Sequence, residues 1–397
     1  MKKLIPLLLA AIFLSSCNWF KKPDPEPEYT RTVLVYMVAD NNLYNFAIED
    51  IKEMESVWND DFNGKLLVFL NPRGLTLPSR LYEVKRSKGG SGVESKVIKE
   101  YGVRVNACDP AVLADVIADS RVLAPADSYA LVLWSHGTGW LPNGVRPLKS
   151  APVRDGSVSY SFGSNETYKD EMEIWDLERA LPRDFKFDFI AFDACYMASV
   201  ESHYQLRNRA HFILASPAET LAYGFPYDRI VPLMFDRQVD MRAMGINIFE
   251  YYNKRVGSER HSTISVVDCS KLEAVAASMK SLLAGVKDTP VLPNNIQQFG
   301  ARKNGFYDVF YDLEDFVAKT YADSPVLASF KSKLSDAVIY TAHTPWLYAF
   351  WKDSEMECRT SCGLTTYIPR KSQPITLEKY RTKFDWSRDS GMDKIEF

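Results

Sequence analysis

A cysteine and a histidine that could act together as a nucleophile and a base each follow a run of apolar residues. Cys195 comes shortly after the run over residues 189–192, and His136 comes shortly after the run over residues 129–134. A free thiol has a pKa of about 8.5, so a cysteine nucleophile needs a neighbouring imidazole that generates or stabilises the thiolate. The two residues therefore indicate covalent catalysis by Cys195 with His136 as its base.

Residues beside this pair could complete such a site. Gly137 has no side chain and lets a substrate carbonyl approach backbone N–H groups, so Gly137 and the N–H of Cys195 are candidates for an oxyanion hole. The helical pattern after Cys195 predicts N-terminal amides that favour a thiolate. Each residue also has a structural explanation. A cysteine after a strand is often a small core residue, and a histidine there is often a hydrogen-bonded structural group.

The elements that must position these residues alternate along the chain between strands and helices. Strands are predicted over residues 32–39, 65–70, 129–134 and 187–192, and helices over residues 43–58 and 109–122, with Asn42 as the cap of the first helix. This order implies a mostly parallel sheet that is covered by helices on both sides. Functional groups collect outside the carboxyl ends of such strands, where His136 and Cys195 both fall.

The N-terminus has the pattern of a bacterial lipoprotein signal. Lys2 and Lys3 precede an apolar run over residues 4–14, and small residues then lead to Cys17. We expect a signal peptide over residues 1–16, lipidation of Cys17, and an extended tether of alternating Pro and acidic residues up to residue 29. The apolar run falls short of the ~20 residues that span a bilayer. The alternative is an ordinary secretory signal with an incidental cysteine.

Composition and the remaining cysteines narrow the choice of partners. The net charge of -3 and the lack of a long Lys or Arg run argue against a nucleic-acid partner. Cys358 and Cys362 are close enough in sequence for a local disulfide in an exported protein. A zinc site would need further ligands from a close Cys or His pair, which the sequence lacks, so we expect no metal site. Calcium binding stays open.

Four stretches of the chain resemble one family of peptidases. They are residues 35–43 with 48–51, residues 133–140, residues 192–201, and residues 215–219 with 224–227. In this order, the chain resembles the clostripain-like cysteine peptidases, which belong to the same clan as caspases, gingipains, legumain and separase. The resemblance implies a caspase-like α/β/α sandwich over residues 30–230. The rest, residues 231–397, would form a C-terminal α+β subdomain with helices over residues 241–252, 270–286, 313–319 and 328–343 and strands over residues 262–267 and 365–369.

The resemblance also implies a mechanism and a substrate. His136 would act as general base and acid, and Cys195 would be the nucleophile of a peptidase that forms a thioester and needs no cofactor for its chemistry. Family members typically cleave after Arg or Lys. Asp193, Ser216 and Glu219 match positions of the pocket for that residue, where a carboxylate provides the complementary charge.

Two features of this pocket stay open in the sequence. Asp193 could equally be a hydrogen-bonding residue at a strand end. Where relatives that prefer basic residues carry a second acid, this chain has residues 222–225 (Ala-Tyr-Gly-Phe), so Glu219 or Asp228 would have to supply the second carboxylate.

Residues 141–170, between the two proposed catalytic residues, are rich in Gly, Ser, Asn and Pro. They contain Arg146, Lys149, Arg154 and Lys169 and predict a long exposed loop that is open to cleavage. Several relatives mature by cutting themselves in this region, so the resemblance implies self-processing here. A variable surface loop is the alternative.

Two other functions compete with the peptidase. One is a catalytically inactive relative that serves as a surface binding protein, and the other is an unrelated surface lipoprotein whose Trp and Tyr residues bind glycans. Retention of both His136 and Cys195 favours the peptidase over the first. We expect a monomer that acts on protein or peptide substrates at the bacterial cell envelope, attached to the periplasmic or cell-surface face of a membrane by its lipid.

Overall fold

A central sheet organises the chain. The computed structural model describes residues 30–90, 92–142, 162–286, 290–300, 309–349 and 354–397. The strands are β1 (Arg31–Val38), β2 (Gly64–Asn71), β3 (Ser79–Glu83), β4 (Lys96–Gly102), β5 (Ser128–Trp134), β6 (Phe162–Asn165), β7 (Asp170–Met172), β8 (Phe187–Asp193), β9 (Ala210–Ala215), β10 (Thr263–Asp268), β11 (Tyr311–Asp312), β12 (Val338–His343), β13 (Trp346–Ala349), β14 (Ser354–Glu357) and β15 (Thr365–Thr366). The helices are α1 (Tyr44–Val57), α2 (Pro110–Leu123), α3 (Ile174–Ala180), α4 (Val200–Leu206), α5 (Tyr227–Ile230), α6 (Met241–Asn253), α7 (Leu272–Ala284), α8 (Leu313–Thr320), α9 (Leu327–Ala337), α10 (Pro374–Lys383) and α11 (Asp385–Asp389).

Nine of these strands form the sheet, in the order β12-β10-β9-β8-β5-β1-β2-β3-β4. The five central strands from β9 to β2 are parallel, and the outer strands pair antiparallel. β5 and β8 are neighbours, with Trp134 in register with Asp193. Their carboxyl ends therefore meet at one edge of the sheet, as the predicted parallel arrangement requires.

Helices cover both faces of the sheet because the central strands are apolar on both sides. Alternate residues of β1 point to opposite faces. Tyr36 packs in a core cluster with Leu113 and Val116 of α2, whereas Val35 packs in a second cluster with Ile51 and Met54 of α1. This arrangement confirms the predicted α/β/α sandwich.

Strands from after residue 230 extend the same sheet. β10 pairs antiparallel with β9, and β12 pairs antiparallel with β10. The helix predicted over residues 328–343 is partly wrong, because α9 ends at Ala337 and the next six residues form β12. These residues, Val-Ile-Tyr-Thr-Ala-His, are mostly β-branched or aromatic and gain backbone partners in β10. The domain division at residue 230 stays a prediction.

Several predictions concern segments outside this description. Residues 1–29, which contain the signal pattern, Cys17 and the tether, are not among the described residues, and neither are Arg146, Lys149 and Arg154. The end of the predicted 141–170 loop forms the hairpin of β6 and β7 instead, with exposed Lys169 at its turn. No helix in the described ranges is long and apolar enough to cross a membrane.

Candidate active site

The ends of β5 and β8 bring the predicted nucleophile and base into one region. His136 follows β5 by two residues, and Cys195 follows β8 by two residues. The two connections are joined, since the N–H of Ser135 donates to the carbonyl of Asp193 at 3.3 Å. The segment after Cys195 is fixed in turn by the N–H of Tyr196, which donates to the carbonyl of Ala218 at 2.9 Å.

His136 and Cys195 line the same cavity, which has a volume of about 470 Å³. The cavity opens at the carboxyl edge of the sheet, where the connections that follow β1, β5, β8 and β9 converge. Its lining consists of residues 42–43, 46, 134–138, 193, 195–196, 219–224, 258–259 and 348. The structure therefore places both residues where a ligand could contact them together.

His136 is held by polar contacts on the β1 side of the cavity. Its Nε2 lies 2.7 Å from Oδ1 of Asn42, and its carbonyl accepts a hydrogen bond from the N–H of Gly163 at 3.0 Å. Burial lowers the pKa of His136 to about 4, because the charged imidazolium loses hydration. The neutral imidazole present near pH 7 is the form that can accept a proton.

Asn42 does not have the capping role that the sequence predicts. The N-cap of α1 is Leu43, which makes no side-chain capping bond, and the N–H of Leu43 donates instead to Oδ1 of Asn41 at 2.8 Å. The predicted cap is wrong by one residue, because Asn41 turns its side chain back into the connection. This leaves the side chain of Asn42 beside His136.

Cys195 lies against the segment that follows β9. The N–H of Thr220 donates to Sγ of Cys195 at 3.3 Å, and Oγ1 of Thr220 lies 3.4 Å from the same sulfur. Burial and, to a smaller extent, the charge of Glu219 together raise the pKa of Cys195 to about 11. Among the described residues, the hydrogen bonds of this thiol go to Thr220 and none joins it to His136. Nucleophile and base thus share the cavity as neutral groups.

The predicted helix start directly after Cys195 is wrong. Tyr196 has φ 61°, in the left-handed region, and α4 begins only at Val200 with Ser199 as its cap. A non-glycine residue at this φ cannot continue a right-handed helix. The turn over residues 196–199 therefore separates the thiol from the amides of the helix N-terminus.

Gly137 approaches the nucleophile so closely that a side chain would not fit. A Cβ at this position would lie 2.8 Å from the carbonyl oxygen of Cys195 and 3.0 Å from Cβ of Ala194. Gly137 also lines the cavity. The two predicted oxyanion-hole residues therefore sit side by side at the cavity wall.

Two buried carboxyl groups lie at one end of the cavity. Asp193 accepts from the N–H of Phe225 at 2.9 Å and from the hydroxyl of Tyr227 at 3.1 Å, and burial raises the pKa of Asp193 to about 7. Asp50, from α1, accepts from Nε1 of Trp134 at 2.7 Å. Burial and the nearby charge of Asp193 raise the pKa of Asp50 well above its ordinary value.

Gly224 covers this pair of carboxyl groups. A Cβ on Gly224 would lie 2.8 Å from Oδ2 of Asp193 and 3.1 Å from Oδ2 of Asp50, and Gly224 and Asp193 both line the cavity. A larger residue at 224 would push into the carboxyl pair. Asp193 thus borders the cavity, and Asp50 lies next to Gly224, behind the lining.

Of the other residues considered for the substrate pocket, one lines the cavity and two do not. Glu219 lines the cavity, and its Oε1 accepts from the hydroxyl of Tyr196 at 2.8 Å. Ser216 is buried behind the cavity, with its hydroxyl 2.6 Å from Oγ1 of Thr263, and is not part of the lining. Asp228, the other candidate for a second acid, lies on α5 and is likewise absent from the lining.

Sequence reasoning missed Asn42 and Asp50 as site residues. Both belong to the connection and helix that follow β1, and β1 is the neighbour of β5 in the sheet. The signal in the sequence is their place after the carboxyl end of a buried strand. That signal becomes specific only when the strand order is known.

The described residues hold no group of three or more His, Cys, Asp or Glu side chains that could bind a metal ion. Cys358 and Cys362, which are close enough in sequence for a local disulfide, are both free thiols in the structure. Their sulfurs donate to separate main-chain carbonyls, those of Thr360 at 3.5 Å and Leu364 at 3.2 Å.

Comparison with known proteins gives the family. The model of the clostripain family matches residues 35–396. Clostripain of Hathewaya histolytica is 28% identical over 226 residues, which make up 52% of this chain but only 41% of that protein, so the chain spans less than half of the length of this curated relative.

Two solved structures are similar over nearly all of their own length. An inactive zymogen protease from Parabacteroides distasonis has a TM-score of 0.76 at 29% identity, with 91% of this chain and 98% of that chain covered. A secreted cysteine protease from Bacteroides thetaiotaomicron, in complex with an irreversible peptide inhibitor, has a TM-score of 0.77 at 30% identity, with 91% and 99% covered. Because the family model covers most of its residues, this chain belongs to the clostripain family of cysteine peptidases.

Proposed function

We propose that this protein is a cysteine endopeptidase that cleaves peptide bonds after Lys or Arg. Sγ of Cys195 attacks the carbonyl carbon of the scissile bond, and the thiol proton passes to His136. His136 then protonates the leaving amine as the C–N bond breaks and a thioester forms. Water attacks the thioester, His136 takes a proton from the water, and Cys195 leaves as a thiol when the new carboxylic acid departs.

The backbone beside the nucleophile would stabilise the charge that develops in this reaction. The tetrahedral intermediates carry a negative oxygen, and N–H groups that point at it lower the barrier by roughly 3 kcal/mol per donor. Gly137 and Cys195 both line the cavity, and their main chains lie next to each other. We assign the oxyanion hole to their N–H groups.

The carboxyl pair at the end of the cavity carries the proposal of a basic P1 residue. Asp193 lines the same cavity as His136 and Cys195, and Asp50 lies directly behind Gly224. A buried carboxylate without a cation has a raised pKa, and a guanidinium or ammonium beside it would favour the charged form. A Lys or Arg side chain of the substrate is the cation that such a pocket would bind.

A panel of peptides that differ only at P1 tests this proposal. Arg is compared with citrulline and Lys with norleucine, because each pair has similar size and differs in charge. We expect kcat/KM to be higher for the basic member by at least about 10²-fold, the effect of one buried charge-assisted pair. In Asp193→Asn, the preference should shrink through loss of turnover of the basic substrates. Equal turnover of Arg and citrulline peptides by the wild type would refute basic selectivity.

We also propose self-processing in the loop over residues 141–170, of which residues 143–161 lie outside the described residues. The related protein from Parabacteroides distasonis, solved as an inactive zymogen, supports a latent form in this family. Wild-type protein should then separate into two fragments on a denaturing gel, and Cys195→Ala should stay intact. A fully active, uncut wild type would contradict the idea.

The N-terminal pattern is the basis for a proposal about the location of the protein. We propose that a lipid on Cys17 holds the mature protein on a membrane of the bacterial cell envelope. Metabolic labelling with a fatty acid should mark the wild type and leave Cys17→Ser unlabelled. Label in both proteins, or in neither, would remove the anchor from the proposal.

A further inference from the structure

The contact between Asn42 and His136 carries information about the proton on the imidazole. Oδ1 of Asn42 lies 2.7 Å from Nε2 of His136, a short distance for a hydrogen bond between N and O. A side-chain amide oxygen only accepts hydrogen bonds. With Oδ1 of Asn42 facing the ring, the contact assigns the hydrogen to Nε2 and the lone pair of the neutral ring to Nδ1.

The backbone that presents Asn42 is fixed on both sides. The amide of Asn41 donates to the carbonyls of Val38 at 3.0 Å and Ser164 at 2.9 Å. The carboxylate of Asp40 accepts from the N–H of Gly74 at 2.7 Å. These contacts hold the connection after β1 in one conformation, so the ordering entropy of this segment is already lost in the free protein.

Helix capping does not explain the side chain of Asn42, because α1 is capped at Leu43 without a side-chain bond. Asn42 is exposed at the rim of the cavity. A peptide bound there would remove water from the hydrogen bond to His136 and strengthen it. The hydrogen bond between Asn42 and His136 is therefore strongest when substrate is bound.

We propose that Asn42 is a positioning residue that holds the imidazole of His136 with its proton on Nε2 and its lone pair on Nδ1, ready to accept the proton of Cys195. This inference rests on the proposed His136–Cys195 pair. In the reaction, the thiol proton moves to Nδ1, Nε2 keeps its own hydrogen, and Asn42 neither gains nor loses a proton. The partial negative charge on Oδ1 stabilises the imidazolium that forms.

The choice of an amide rather than a carboxylate matters for the working pH range. Burial alone accounts for the lowered pKa of His136, and Asn42 adds no full charge beside it. The other ionisable groups on the cavity wall are Asp193, Cys195, Glu219, Glu259 and the three tyrosines Tyr196, Tyr223 and Tyr348. A neutral partner leaves the pKa of His136 low, so the imidazole is available as a base near neutral pH.

Two substitutions separate positioning from charge. Asn42→Leu removes the acceptor at nearly the same side-chain size, and we expect kcat to fall by about 10²-fold while KM changes little. Asn42→Asp keeps the acceptor and adds a charge, which favours the imidazolium. The acidic limb of its kcat/KM profile should move up by at least about one pH unit, with activity retained above that limb. Asn59→Asp, the same change on an exposed turn, should leave the limb in place.

Two readouts do not depend on peptide hydrolysis. Nitrogen NMR of histidine-labelled protein, assigned with His136→Gln, should show hydrogen on Nε2 in the wild type and mixed tautomers in Asn42→Leu. The rate at which iodoacetamide alkylates Cys195 should fall in Asn42→Leu. Hydrogen on Nδ1 in the wild type would overturn the inference, and so would unchanged kinetics in Asn42→Leu. If no peptide is cleaved but the tautomer is as expected, the proposed substrate fails and the role of Asn42 stands.

Discussion

Residues 193–195 and residues 201–203 lie close together in sequence and each contain two buried ionisable side chains. Burial raises the pKa of Asp193 to about 7 and of Cys195 to about 11. It likewise raises the pKa of Glu201 to about 7 and lowers that of His203 to about 3. In all of them, burial favours the neutral form. The shifts alone therefore do not separate the two regions.

Their surroundings do. Asp193 and Cys195 line the cavity, whereas Glu201 and His203 are outside its lining. Oε1 of Glu201 accepts from the N–H of Tyr367 at 2.9 Å, and Nδ1 of His203 lies 3.0 Å from the carbonyl of Ser199. Glu201 thus joins α4 to the residue that follows β15, and His203 contacts the N-cap of its own helix. A shifted pKa indicates chemistry only where the group also meets space for a ligand.

The largest expected effect is on activity, and it compares a cysteine that lines the cavity with one that does not. Cys195→Ala should lower kcat/KM by at least about 10⁴-fold, because it removes the nucleophile. The free energy of unfolding should change by less than about 1 kcal/mol, since the thiol borders a cavity and loses little packing. Peptide hydrolysis and denaturant unfolding measure the two quantities on the same preparation.

Cys269 provides the matched control for that substitution. It is buried at the end of β10, and burial raises its pKa to about 12, but it lies outside the cavity lining. Cys269→Ala should lower the free energy of unfolding by about 1 kcal/mol through lost packing and leave kcat/KM per folded molecule unchanged. Loss of hydrolysis in Cys269→Ala would mean that cavity access does not mark the functional cysteine.

The next effect tests the structural side of the comparison. Glu201→Ala leaves the N–H of Tyr367 without its acceptor, which lies 2.9 Å away in the wild type. It also removes the nearer of the two acceptors of the Thr366 hydroxyl, at 3.0 Å, and leaves the carbonyl of Tyr367 at 3.3 Å. We expect the free energy of unfolding to fall by roughly 3 kcal/mol, because a buried N–H is left unpaired and a second hydrogen bond is lost. The value of kcat/KM, normalised by active-site titration, should stay within about twofold. Normal stability with lost activity would place Glu201 in the catalytic region instead.

The sequence predicts the strands that carry the site well, but it does not predict the position of Asp50. The central residues of β1, β5 and β8 are apolar, the pattern of strands that are buried on both faces. The parallel order then places His136 and Cys195 at one edge. The position of Asp50 could not be predicted in this way, because an acid on an amphipathic helix is ordinarily solvent-exposed. Only the packing of α1 against β5 and the loop at Gly224 turns it inward.

Other differences between the structure and the sequence-based expectations also originate in tertiary contacts. Residues 338–343 continue an apolar helical pattern, but pairing with β10 makes them a strand. Ser216 matches a pocket motif, yet its hydroxyl is used to join β9 to β10 through Thr263. Local pattern identifies which segments are buried, and the identity of the partner decides what each side chain contacts.

A smaller effect appears in the pH dependence of stability. The folded pKa of Glu201, about 7, lies above its unfolded value, so its contribution is fully present below about pH 4.5 and is lost as the pH rises through 7. Glu201→Gln removes this titration. The stability of the wild type relative to Glu201→Gln should therefore fall between pH 4.5 and 7, by at most about 1.4 kcal/mol per pH unit, and then level off.

Urea unfolding of both proteins at several pH values measures this difference. His203, Asp193 and the other titrating groups are common to both proteins and cancel in the subtraction. If the stability of the wild type relative to Glu201→Gln rose with pH, Glu201 would be charged in the folded protein. Glu201 would then differ from Asp193, whose neutral form is favoured by burial.

The smallest effect concerns the acid behind the cavity. Trp134→Phe removes the Nε1–H that donates to Asp50 at 2.7 Å, a hydrogen bond that favours the charged carboxylate. With less negative charge behind Asp193, kcat/KM for peptides with Arg at P1 should fall by about fivefold, or about 1 kcal/mol. Turnover of the citrulline peptide should not change, because it has no charge to bind. Trp175→Phe, a tryptophan of α3 outside the cavity lining, is the control and should alter neither substrate. An equal loss with both peptides in Trp134→Phe would mean that the ring acts through packing and that Asp50 does not contribute to selectivity.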